Sequence, residues 1–388
     1  MKKFIFVIIV LSSSILFASI SEWNSLKIDP TMTDDPNSFL TYPSSLIESE
    51  QFKAIASVDY YNSQVNALAL FDNYWGRLGV YVERTQNILR DSMIKNISGR
   101  DIVPVILGIS AGKKVKNFNF GIAFAGYKID EYLKDRISPY NNTTLNMSEF
   151  CINPSITMII NDMLAIDFAG DVTILSAGSD DVNRIIKAAS PLGYKLSGRI
   201  TQLFAENKIT VSAKYSKNPY GLEEFQQGET SGDVELNSED SLSVKVLLSF
   251  ESFSYVSAYL SAAYEQSVSY SKLSFVTGSE SEERVTISKF PVLSTGFAFY
   301  VNKIVSLNAG VSGCWKSVVV EDAPLLSPVM QTAGFEYDMR TGVVLSFDNL
   351  RIAFDLSKEI FEIPYILSGN AINDLDMNIG ISYTGYEF

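Results

Sequence analysis

From Phe52 onward the side chains keep alternating in character. Phe52, Ala54, Ala56, Val58 and Tyr60 share one parity, and Lys53, Ser57 and Asp59 share the other. That period of two is what a strand with one apolar and one polar face requires. Val65, Ala67, Ala69 and Phe71 repeat it, and Leu78, Val80 and Val82 then stand against Arg77, Tyr81 and Glu83. Further runs follow at 103–111, 118–126, 150–158, 164–172, 194–200, 209–215, 242–250, 256–264, 293–299, 305–311, 337–347, 352–356 and 377–383, sixteen candidate strands in all.

The connections narrow the architecture further. Asp72-Asn73, Asn161-Asp162, Glu206-Asn207, Glu251-Ser252, Asn302-Lys303 and Asp348-Asn349 mark short turns. Between them lie long polar stretches near 85–101, 128–145, 173–190, 217–241, 266–284, 318–335 and 358–375. A soluble β-sandwich has no reason to alternate short and long connections. A transmembrane β-barrel does, because its periplasmic turns are short and its outer loops long. An even strand count then leaves both ends of the barrel chain in the periplasm.

Composition agrees with a wall that meets lipid. Aromatic residues make up 12% of the 388 residues and charged residues only 19%, against about 25% charged in soluble domains. Past residue 20 no apolar run approaches the ~18 residues of a membrane helix. The parity assigned to lipid carries almost no charge. The other parity holds Lys53, Asp59, Arg77, Glu83, Asp167, Asp171, Lys195, Arg199, Lys214, Lys245, Asp338, Arg340, Arg351 and Asp355. A Lys or Arg at the lipid midplane costs about 2–4 kcal/mol, so these residues are the candidate lumen lining.

The same numbers exclude several functions. A net charge of −13 argues against nucleic acid as a partner, because phosphate neutralisation needs a basic surface. The chain has no histidine, which removes the commonest general acid–base group and the commonest neutral metal ligand. No phosphate loop, CxxC pair or GxGxxG fingerprint occurs, so the reading is of a protein that is not an enzyme and needs no cofactor. The acidic loop residues Glu223, Glu224, Glu229, Asp233, Glu235, Glu239 and Asp240 lack the ordered spacing of a calcium loop and read as solvated; no metal site is expected. Cys151 and Cys314 lie too far apart around a barrel to suggest a disulfide, whose Cα atoms must come within ~7 Å.

At the N-terminus, Lys2 and Lys3 precede an apolar stretch from Phe4 to Phe17, followed by Ala18 and Ser19. This is the pattern of a secretory signal peptide, expected to span residues 1–18. From 19 to 50 the chain is polar and broken by Pro30, Pro36 and Pro43. At the other end, Tyr386 and Phe388 resemble the C-terminal signal by which outer-membrane barrels are recognised for assembly. Their parity differs from that of Met377, Ile379, Ile381 and Tyr383, so a bulge near Gly385 is expected.

The run Asp34-Asp35-Pro36-Asn37-Ser38-Phe39-Leu40-Thr41-Tyr42-Pro43-Ser44-Ser45-Leu46 resembles the segment before the first strand in the family of long-chain fatty-acid transporters and related barrels. Tyr42-Pro43-Ser44 stands where that family usually has Asn-Pro-Ala, and Tyr74-Trp75-Gly76-Arg77-Leu78-Gly79-Val80 is similar to one of its early strands. The resemblance implies a fourteen-stranded barrel, an N-terminal segment plugging the lumen, and passage of small apolar molecules.

The combined expectation is an all-β fold: a transmembrane antiparallel up-and-down barrel of about 14 to 16 strands over residues 51–388, with residues 19–50 as a plug or periplasmic segment. Its place is the bacterial outer membrane, and its partners are outer-membrane lipid, the barrel-assembly machinery and a small-molecule solute. The function expected is passive passage of small solutes, apolar ones included. The alternative is a structural or interaction protein that uses its long acidic loops.

Overall fold

The computed structural model describes residues 26–27, 29–32, 41–47, 53–59, 64–73, 76–84, 90, 103–134, 142–180, 184–188, 192–218, 222–226, 238–253, 255–274, 280–323, 327–347, 350–357 and 377–384. The segment expected to be a signal peptide, Tyr386, Phe388 and the expected bulge near Gly385 lie outside the described residues.

The described strands are β1 (Lys53–Asp59), β2 (Gln64–Asn73), β3 (Gly76–Arg84), β4 (Ile106–Val115), β5 (Phe118–Lys134), β6 (Asn142–Asn161), β7 (Leu164–Asp180), β8 (Arg184–Ala188), β9 (Leu192–Phe204), β10 (Asn207–Lys217), β11 (Leu222–Gln226), β12 (Ser238–Phe253), β13 (Val256–Ser274), β14 (Glu280–Tyr300), β15 (Val305–Ala323), β16 (Ser327–Phe347), β17 (Leu350–Ser357) and β18 (Met377–Thr384). All of their pairings are antiparallel.

Sixteen of them form one closed ladder. Each pairs with its neighbour in sequence, except that β7 also pairs with β9 and β10 with β12, passing over β8 and β11, and β18 returns to β1. The closing register sets Lys53 opposite Thr384 and Asp59 opposite Asn378. Both ends of the circuit therefore fall at the rim that carries the short turns. β8 and β11 pair with each other, and β8 continues the top of β7. Each of the sixteen ring strands coincides with one alternating run in the sequence.

The strand lengths correct the loop boundaries. β5 and β7 have 17 residues, β13 and β15 have 19, β6 has 20, and β14 and β16 have 21, against the ~9–11 that cross a bilayer. Their upper halves run through stretches read from sequence as loops. Outside lipid both faces of a strand meet water, so the hydropathy alternation fades while backbone pairing continues. Among the described residues β17, β18 and β1 to β4 have 7 to 10 residues.

The outer face is apolar and uncovered. Leu107, Ile109, Phe168, Leu196, Leu293 and Phe335 each leave more than half of their surface exposed. Exposure of this kind suits a hydrocarbon environment and would be an aggregation hazard in water.

Candidate functional site

The inner parity is neither uniformly polar nor empty. Leu68, Leu70, Tyr81, Met147, Leu175, Leu247, Tyr259 and Val344 all lie on it and are buried, which corrects the expectation of a purely polar lining. Two of these groups pack against the N-terminal segment. Leu46 joins Leu68, Leu70 and Tyr81, and Leu26 and Met32 join Leu247, Tyr259 and Ala298. Alternation could not reveal them, because an inward apolar residue breaks the pattern unless its partner is known.

The segment is seated in two places. The 3-10 turn Pro43–Ile47 rests on β3 to β6. It fits because Gly112 and Gly121 have no side chain there: a Cβ on Gly121 would stand 2.1 Å from the Ser44 backbone nitrogen, and one on Gly112 would stand 3.0 Å from Ile47. Hydrogen bonds then fix it. The Ser44 N–H donates to Ser155 Oγ at 2.6 Å, the Ser44 and Thr157 hydroxyls share a hydrogen bond at 2.8 Å, and Asn153 Nδ2 donates to the Thr41 carbonyl at 3.3 Å.

The second seat is ionic. Asp29 Oδ1 accepts from the Thr31 N–H and hydroxyl, forming a local turn before the 3-10 turn Pro30–Met32. Its other oxygen lies 3.2 Å from Lys245 Nζ and 3.7 Å from Lys214 Nζ. Burial works against the charged form of Asp29. The two ammonium groups and the Thr31 hydrogen bonds outweigh burial and hold the carboxyl well below its ordinary range. Lys27 pairs with Asp338 on β16.

Between the two seats stands Arg199. Its Nε donates to Asp167 Oδ2 at 2.7 Å, a second nitrogen donates to the Thr31 carbonyl at 2.9 Å, and the guanidinium lies 4.7 Å from the centre of the Tyr42 ring. Asp167 also accepts from Thr157 at 2.6 Å. Tyr42 is fully buried, and desolvation pushes its phenol above the ordinary value, the nearby Arg199 charge opposing.

The structure brings together many of the residues singled out in the sequence. Arg77 donates to both oxygens of Asp72 and to the Leu46 carbonyl, fastening the segment where it leaves for β1. Arg340 pairs with Asp355 at 2.7 Å, and Lys245 pairs with Glu265 at 2.9 Å. Asp171 accepts from the Cys151 thiol and faces Lys195 across the ladder. Arg351 faces Ser382, and Glu83 faces Asn66. Lys53 and Asp59 are placed by register alone. Cys151 and Cys314 are both free thiols. Arg90, from a stretch read as an outer loop, is buried with its guanidinium 5.8 Å from the Tyr127 ring centre.

A closed antiparallel ladder, an apolar belt outside it and a pinned segment inside it define a transmembrane β-barrel of the bacterial outer membrane. No protein-family model matches the sequence, and no curated protein matches it. Among solved structures the chain is similar to CdiB from Escherichia coli, with 9% identity and a TM-score of 0.46 over 86% of this chain, spanning 62% of that protein's length. It is also similar to the toluene transporter TbuX of Ralstonia pickettii, at 10% identity and a TM-score of 0.43 over 95% of this chain and 98% of that one. A third likeness is to the CymD monoaromatic hydrocarbon channel, at 9% identity and a TM-score of 0.41 over 95% and 97%.

Proposed function

We propose that this barrel passes small solutes across the outer membrane passively, and that the state described here is the shut one, with the N-terminal segment as the plug. The observation that carries the reading is the set of contacts made by residues 26–27, 29–32 and 41–47 to the inner faces of strands on several sides of the barrel. These reach from Arg77 on β3 to Lys214 and Lys245 on β10 and β12 and to Asp338 on β16. Candidate lumen charges are thereby absorbed in holding the segment or one another, so the lumen conducts only when that segment shifts.

The inner apolar groups favour a solute that is itself partly apolar. Met147 and Leu175 are buried on the inner parity above the plug contacts, and a path built only for ions or sugars has no use for them. No step in such passage calls for catalysis. The test is single-channel conductance and liposome swelling of the whole protein beside a variant lacking residues 19–47. A closed full chain and an open deletion support plugging. If neither conducts, with heat-modifiable migration on gels proving both barrels folded, the channel reading is lost.

The tall strands β13 to β16 favour a second reading, an interaction protein whose raised wall and acidic loops meet a partner at the cell surface. In that case, trimming residues 217–241 removes partner binding and leaves conductance untouched.

A further inference from the structure

Residues 26–27 and 29–32 sit on the inner wall as a ligand sits in its site. Three different surfaces receive them. Leu26 and Met32 pack with Leu247, Tyr259 and Ala298. Lys27 pairs with Asp338 on one side of that apolar surface, and Asp29 meets Lys245 and Lys214 on the other. Around the ladder the order is Lys214 on β10, Lys245 on β12, Tyr259 on β13, Ala298 on β14 and Asp338 on β16. The apolar surface therefore lies between an anion seat and a cation seat.

The wall also receives backbone. A Cβ on Gly296 would stand 2.4 Å from the Leu26 carbonyl oxygen, so this glycine admits another chain against the strand. Arg199 donates to the Thr31 carbonyl at 2.9 Å, and Lys214 Nζ donates to the Thr31 hydroxyl at 2.6 Å. The segment is a strained occupant. Lys27 has a φ of 57°, in the left-handed region that residues other than glycine rarely adopt. A free molecule with the same groups carries no such strain and can compete for the seat.

We propose that this seat is the solute site of the barrel, and that the solute is a short peptide bearing one cationic group, one anionic group and an apolar side chain. Its cation takes the place of Lys27 at Asp338, its carboxylate that of Asp29 at Lys214 and Lys245, and its side chain that of Leu26. The proposal rests on the reading that the N-terminal segment plugs the lumen, since binding the solute and freeing the segment are then one exchange.

Calorimetry in detergent tests it, on the full chain and on a variant lacking residues 19–32. The probes are the end-capped tetrapeptide Leu-Lys-Ile-Asp, which repeats residues 26–29, and its uncharged counterpart Leu-Gln-Ile-Asn. The deletion should bind the charged probe about tenfold more tightly than the full chain, whose own segment fills the seat. The uncharged probe should bind the deletion about 25-fold more weakly, roughly fivefold for each ion pair lost. Gly296→Val in the deletion should abolish binding. If heat-modifiable migration shows the deletion unfolded, the full chain with Lys27→Gln and Asp29→Asn, whose segment is loosened, takes its place. Equal binding of the two probes, no binding of the charged one, or unchanged binding in Gly296→Val overturns the proposal. Ion conductance keeps the two readings apart: a deletion that conducts but takes no peptide sinks the solute site and leaves the plug, and one that binds peptide without conducting keeps the site and removes the plug.

Discussion

Arg199 and Asp167 face each other across β9 and β7 as a buried ion pair, 2.7 Å apart, with about 5% and 3% of their side chains exposed. Sequence places both on the inner parity. The fold makes them the post against which Tyr42 and Thr31 lean.

Breaking that pair from one side should be costly. Asp167→Asn leaves the Arg199 charge buried without its carboxylate, and loss of about 3–5 kcal/mol is expected for a buried pair cut this way. The unfolding midpoint in urea, read from the gel shift of folded and unfolded barrel, should fall accordingly. The double variant Asp167→Asn with Arg199→Gln should recover part of the loss, because no uncompensated charge remains. An additive double variant would show that the two residues do not act as a unit.

Asp29 sits at a lighter latch, about one fifth exposed like both of its lysine partners. Asp29→Asn should loosen the 26–32 stretch while leaving the 41–47 seat in place. A shift of about 1–2 kcal/mol would raise the open population roughly 5- to 30-fold. Single-channel recordings would read this as more frequent openings of unchanged size.

The same residue sets an acid response. Its carboxyl is held below the ordinary value by Lys214 and Lys245 against the cost of burial. The stabilisation is thus complete above the unfolded-chain value of about 3.9 and is lost as the pH falls from there through the folded value. Open probability should rise as the pH is taken below about 4. Asp29→Asn should lack the part of that rise that belongs to this carboxylate, so identical acid profiles for the two proteins would remove Asp29 from the latch.

Gly121→Val should unseat the Pro43–Ile47 turn, since even a single Cβ meets the Ser44 nitrogen and the Pro43 carbonyl carbon within 2.2 Å. Leak conductance and protease access to the N-terminal segment should both increase, with the heat-modifiable shift retained. Gly334→Ala, where an added Cβ has nothing within 4 Å, should change neither.

The sequence determined the wall. Alternation of Val58 with Asp59, or of Val80 with Tyr81, is a local property of one strand in contact with two media, and the alternation of short turns with long polar stretches bounded the strand count at about 14 to 16. It could not mark where the tall strands end, because above the membrane both faces of β14 and β16 meet water and the two-residue signal disappears. It also missed Leu68, Leu70 and Leu247 as inward residues, which look misplaced until Leu46, Leu26 and Met32 are set against them. Only the tertiary structure decided what the inner charges hold. A parity assigns Arg199 to a face, whereas its partners Asp167, Thr31 and Tyr42 come from segments 32 to 168 residues away that meet only once the ladder has closed around the N-terminal segment.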